Sequence, residues 1–251
     1  MTNLFEQCDF HVHSCLSPCA APEMKPRAII EASGDKGVRY LGITDHIAVG
    51  TDTGILLQTK RELAAIKSPV RVFLGCEADI LDVGRHVVTQ EMMSELDYIC
   101  ASANHFHLSS VAKPADESDE ELGRHFLRML KYACSLDFVD FIAHPMYVFP
   151  GTFDPTFLET ITDDAIMEVL EEAKRHDVAM EISPRALDRE QLYFRMRFMF
   201  LCKEAGLKFS IGSDAHRLAS LGTAMMVAPI IRELDLQDKD IWLPRGAKGD
   251  T

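Results

Sequence analysis

In the stretch "CDFHVHSCLSPCA", residues 8–20, His11 and His13 stand one residue apart on what reads as a strand. Residues i and i+2 of a strand share a face, so the two imidazoles point the same way and can converge on one cation. HxH alone is a weak motif, because a lone histidine near a strand end is more often a hydrogen-bonded structural residue. What gives it weight is repetition. His46 ends "GITDH", His105 and His107 lie in "ASANHFH", His144 follows "FIA" and His216 closes "IGSDAH", while Glu77 in "FLGCEADI" and Asp214 occupy the same kind of position. Imidazoles and carboxylates together are the donors of zinc, iron and manganese centres. The other three histidines, His86, His125 and His176, sit beside charged neighbours in helical or loop sequence and read as solvated surface residues.

These residues fall at the ends of seven short apolar segments: 6–12, 39–44, 70–76, 98–102, 139–143, 178–182 and 208–212. Between them, stretches such as "KPRAIIEASGDKG", "DEELGRHFLRMLKYACS" and "DDAIMEVLEEAKRHD" carry apolar residues at three- and four-residue steps. A strand-helix alternation of this kind predicts an α/β fold with a parallel sheet. In parallel barrels the C-terminal ends of the strands carry the chemistry, because the strands fix residue positions while the loops vary. The chain reads as one domain over residues 1–251 with a short tail from about 235, where Trp242 is expected on the outside of the sheet.

Composition narrows the partners. A formal net charge of −13 opposes binding to phosphate backbones, so long nucleic acid is a poor substrate. Seven scattered cysteines do not make a disulfide framework. Apolar runs stay far below the roughly 20 residues of a membrane span, and the N-terminus lacks the order of a secretory signal, so the expected location is cytoplasmic. No residue reports on oligomeric state.

The ordered series "DFHVHS", "GITDH", "GCEADI", "NHFH", "IAHP" and "GSDAH", spanning Asp9 to His216, resembles the PHP superfamily, named for polymerase and histidinol phosphatase. The resemblance implies a distorted TIM-like (β/α)7 barrel holding two or three divalent ions (Zn, Fe or Mn) at its C-terminal face. Carried over by motif, His11, His13, Glu77 and Asp214 hold one metal, and Glu77 bridges to a second completed by His105 and His144. A third uses His46, His216 and the residue six positions after the second histidine of HxH, which here is Cys19. A thiolate is a soft ligand that favours zinc or iron; Cys19 either completes that site or is a small buried residue beside an absent one.

The implied chemistry is hydrolysis of a small phosphorylated substrate. A pair of cations bridged by Glu77 and a water brings that water's pKa from about 16 toward 7 and clamps phosphate oxygens for in-line displacement. Glu77, Asp214 and His216 are thus catalytic candidates, joined by Arg185 and Arg217, whose planar donors suit phosphate. Asp45 is expected to orient His46, and Glu181 to be a supporting or barrel-interior carboxylate. The competing readings are a nucleotide phosphodiesterase or 3′-exonuclease-like hydrolase, a non-catalytic metal-stabilised module, and an amidohydrolase; the last calls for a strand-end lysine that the sequence lacks.

Overall fold

The computed structural model describes residues 3–185, 189–222 and 224–247. Seven parallel strands form one sheet in the order β1 (Cys8–Asp9), β2 (Tyr40–Ile47), β3 (Arg71–Asp82), β5 (Tyr98–Ser102), β6 (Phe141–Ile142), β7 (Ala179–Ile182) and β8 (Phe209–Ile211). A short β4 (Arg85–His86) pairs antiparallel with the end of β3. The ring closes where the ends of the sequence meet: Ile211 O accepts from Phe10 N, His11 O from Asp214 N and Ala215 O from His13 N, at 2.7–3.0 Å. Strand lengths range from two residues in β1 and β6 to twelve in β3, which makes the barrel irregular. No helix among the described residues is long and apolar enough to cross a membrane.

Helices link the strands: α1 (Pro26–Asp35), α2 (Gly54–Ala64), α3 (Gln90–Glu95), α4 (Asp119–Cys134), α5 (Asp163–Arg175) and α6 (Arg189–Ala205), with α7 (Ala224–Glu233) after β8. The sequence explains α5 well. The Thr162 hydroxyl caps its first turn, Asp163 and Asp164 face the positive end of its dipole, and Lys174 and Arg175 the negative end. Ile166, Val169, Leu170 and Ala173 form the buried stripe. The same periodicity corrects the reading of His125 as solvated. On α4 it lies in line with Leu122, Phe126 and Met129, and it is buried, with Nε2 2.9 Å from Ala112 O and Nδ1 accepting from Arg128.

Register fixes what faces inward. Gly75 pairs with Tyr98 and Glu77 with Cys100, which pairs in turn with Phe141, so Phe73, Gly75, Glu77, Tyr98, Cys100, Ser102 and Phe141 share the interior face. The Tyr98 ring lies across Gly42 and Gly75, where any Cβ would collide with it, and its hydroxyl donates to Phe10 O at 2.7 Å. Against this layer packs Trp242, edge-on to Phe10, Tyr98 and Phe141 with centroids 5.1–5.4 Å apart. Its backbone N–H donates to Phe209 O at 2.8 Å. Trp242 therefore seals the N-terminal end of the barrel interior instead of covering its exterior: an indole among Phe, Tyr and Phe finds there the apolar burial its surface demands. The last four residues of the expected tail lie outside the described residues.

Candidate metal centre

At the opposite end of the barrel, the inward side chains change from aromatic to imidazole and carboxylate. His11 and His13 follow β1, His46 is on β2, Glu77 on β3, His105 and His144 follow β5 and β6, and Asp214 and His216 follow β8. Two of the turns are left-handed: His144 has φ 32° and Asp214 φ 53°. That conformation costs a non-glycine residue of order 1–3 kcal/mol, and here hydrogen bonds hold it. His144 N donates to Glu181 Oε2 at 2.7 Å, and Asp214 N to His11 O at 2.7 Å.

Two imidazoles and two carboxylates come close together where the ring closes. His11 Nε2 and His13 Nε2 are 3.1 Å apart; Glu77 Oε2 lies 3.3 and 3.4 Å from them, and Asp214 Oδ1 3.7 and 3.1 Å. Donors bonded to one tetrahedral zinc at about 2.0–2.2 Å stand about 3.3–3.6 Å from each other, and the His11, His13 and Asp214 donors, which lie within 4.8 Å of one another, approach that range. His11, His13 and Glu77 are fully buried. Glu77 Oε1 meets a second pair, His105 Nε2 at 3.4 Å and His144 Nε2 at 2.8 Å.

The hydrogen-bond network assigns the tautomers. His11 Nδ1 is 2.7 Å from Glu181 Oε1, His105 Nδ1 2.7 Å from Asp79 Oδ1, and His216 Nδ1 2.9 Å from Asp214 O. Ser17 Oγ donates to Asp45 Oδ1 at 2.7 Å and accepts from His46 N, so it can only accept from His13 Nδ1 at 3.4 Å. The Asn104 amide nitrogen donates to His144 O and Tyr147 O, leaving its oxygen to accept from His144 Nδ1 at 3.2 Å. Five imidazoles thus spend Nδ1–H on the protein and turn Nε2 inward, the arrangement that sets up histidine ligands. Two inward lone pairs 3.1 Å apart, beside two carboxylates, need positive charge between them: a proton or a metal cation. Glu77 Oε2, buried between the His11 and His13 Nε2 atoms and 2.8 Å from His46 Nδ1, points to the same requirement. The donor set is that of a divalent metal centre.

Without a cation, protons take its place. Burial disfavours charge on His11, but Glu181 and Glu77 outweigh it and lift the imidazole to about 10. His46 rises to about 10 in the same way, chiefly through Glu77. His13 falls well below its ordinary value through burial and the charges on His46 and His11, and His144 falls to about 3 through burial and Arg185. Burial would raise Glu77, yet the histidines around it hold it well below the usual carboxylate range.

The outer rim is looser. His13, His46 and His216 bring a further set of nitrogens within 4.8 Å of one another. Cys19 is exposed, which removes the expectation of a small buried residue. Burial raises its thiol, but hydrogen bonds with His216 and His46 bring it down to about 6. Arg185 pairs with Asp214 Oδ2, and its guanidinium lies over the rings of Tyr147 and Phe149, at 4.7 and 5.0 Å. Arg217 is exposed and makes no side-chain contact to the cluster among the described residues. His107 is also exposed, against Phe149 and outside the convergent set.

Several supporting residues carried no sequence signal of their own. Asp79, Asn104 and Ser17 hold imidazoles, and the Ser102 hydroxyl donates to Glu77 Oε1. Asp9, fully buried, accepts from Ser213 N and Gly222 N and so anchors the segment that carries Asp214. Asp45 does not orient the His46 ring directly; it binds Ser14 and Ser17, and Ser17 passes the constraint on. Glu181 proves central, bridging His11 and His144, and a Cβ on Gly212 would collide with both Glu181 and His11.

Comparison with known proteins places this site in context. The chain is 27% identical over 223 residues to the DNA polymerase/3′-5′ exonuclease PolX of Bacillus subtilis, covering 85% of the chain but only 35% of that protein. It is 26% identical to a probable phosphatase of Photobacterium profundum over 239 residues, covering 93% and 87%. A histidinol phosphate phosphatase from Lactococcus lactis, solved with zinc, L-histidinol and phosphate, shares the fold with a TM-score of 0.65 at 18% identity, covering 92% of this chain and 95% of its own. The PHP domain profile matches residues 9–185, which carry all of the cluster except Asp214 and His216, and the chain belongs to the PHP domain family.

Proposed function

We propose that the protein is a metal-dependent phosphoesterase acting on small phosphorylated molecules, in the cytoplasm, where its free cysteines would stay reduced. The observation that carries this reading is the convergence of the His11, His13 and Asp214 donors, with Glu77 Oε2 beside both imidazoles and their lone pairs turned inward. The similarity to probable phosphatases over nearly their whole length supports the same reading.

The residues divide the work as follows. His11, His13, Glu77 and Asp214 would hold one ion, Glu77, His105 and His144 a second, and Cys19, His46 and His216 a third, with zinc or iron favoured wherever the thiolate ligates. When bound, such ions supply Lewis acidity and an acidified water. Glu77, with Oε2 beside His11 and His13 and Oε1 beside His105 and His144, would be shared by the two inner sites. Glu181, Asp79, Ser17 and Asn104 keep the imidazoles in the tautomer that leaves Nε2 free. Arg185, braced by Tyr147 and Phe149 at the mouth, would bind a phosphate oxygen and neutralise its charge as it grows.

The test is metal analysis of the purified protein together with a phosphomonoester and phosphodiester screen in the presence of Zn, Mn or Fe. Bound metal and monoester hydrolysis are expected, both lost in His11→Ala. A His11→Ala variant as active as the parent would overturn the assignment.

A further inference from the structure

Beside the cluster, a cleft runs from His144 and Glu181 past Tyr147 and Arg185 to Phe194 and Arg195 on α6. Two guanidinium groups thus share one recess, and the Nε of each is buried with no hydrogen-bond partner. Arg195 is the more unusual. Its recorded polar contact is Nη1 donating to Ser183 O at 3.0 Å, and no carboxylate of the described residues pairs with it. Burial weighs against its charge, and Glu181, already engaged by His11 and His144, favours it. A largely buried arginine without an anion is costly, so natural folds keep one only where something pairs with it. Arg185 differs: its Nη2 is committed to Asp214, next to the metal donors, while its Nε is left without a hydrogen-bond partner.

We infer that this cleft is a second anion subsite, in which Arg195 and Arg185 Nε bind a carboxylate or second phosphate carried by the substrate beyond its scissile phosphate. The inference rests on the phosphoesterase reading and narrows its substrate class to molecules with two anionic groups. Arg195 is then a specificity-determining residue, remote from the reacting atoms.

Non-hydrolysable matched probes test it on the metal-loaded protein: propylphosphonate, with one anionic group, against propane-1,3-diphosphonate and 4-phosphonobutyrate, with two, and longer homologues of each. Calorimetry is expected to show a gain of about tenfold to a hundredfold for a two-anion probe at one chain length, the size of a charge-assisted hydrogen bond. Comparing the diphosphonate with the phosphonocarboxylate tells which anion fits. Arg195→Met should erase the gain and leave propylphosphonate affinity unchanged; Arg195→Gln serves if the first variant does not fold. Equal affinity for all probes, absence of binding, or a gain that survives in the folded variant overturns the subsite. Hydrolysis of p-nitrophenyl phosphate is followed on the same preparation. Hydrolysis without the gain rejects the subsite alone, and an Arg195-dependent gain without hydrolysis rejects the phosphoesterase reading alone.

Discussion

The inner and outer halves of the histidine cluster are built on different terms. His11, His13, His105 and His144 are buried, each ring is fixed through Nδ1, and a shared carboxylate lies between them. In the outer half, His46 and His216 have about a quarter of their side-chain surface exposed, Cys19 is exposed, and the carboxylates beside them, Glu77 and Asp214, are already used by the inner half. A preorganised donor set loses little entropy on binding an ion, whereas a loose one must be ordered by it. The inner half should therefore keep its metal through purification and dialysis, and the outer half should exchange it.

Glu77→Ala strikes the point where the two inner sites join. Metal analysis should show both inner ions lost, and hydrolysis should fall by about a thousandfold or more. Retention of two tightly bound metals would dissolve the distinction between the halves.

Acidity comes next in size. With His11 lifted to about 10 in the metal-free protein, binding at pH 6–8 must displace its proton. Inner-site affinity should then rise about tenfold per pH unit for each proton expelled, and fall equally on acidification, as read by competition with a chelator. Flat affinity over that range would mean that no proton is displaced.

Glu181→Gln removes the charge behind His11 while keeping its shape. Affinity at the inner site should drop about tenfold to a hundredfold, with the fold retained by circular dichroism. The mildest effect is expected at Cys19. Cys19→Ser should lower metal content by one equivalent at most and activity by about tenfold or less, because serine still offers an oxygen. Loss of all the metal in Cys19→Ser would make the rim as essential as the interior.

The same contrast explains what could be read from the sequence. The histidines and carboxylates were legible because strand ends are marked by the apolar runs before them, and β2, β3 and β5 lie close to where the alternation put them. Their supports were not. Asp79, Asn104 and Ser17 act on residues 4 to 40 positions away, and even for Glu181, expected as a supporting carboxylate, which ring it meets depends on strand register and closure, not on local spacing. His125 could have been found, since it falls on the apolar stripe of α4; its charged neighbours concealed it. The sealing role of Trp242 was hidden for another reason: the apolar run at residues 241–243 is too short to mark an element, and only the closed ring reveals the hole it fills.

The way the ring closes has a consequence for synthesis. His11 and His13 leave the ribosome among the first residues of the barrel and Asp214 and His216 among the last, and they come together only when residues 10–13 zip against 211–215 and Trp242 stoppers the far end. Until residues 211–215 have been made, the His11–His13–Asp214 donors cannot come together, so a tight grip on a metal ion there would coincide with closure of the barrel.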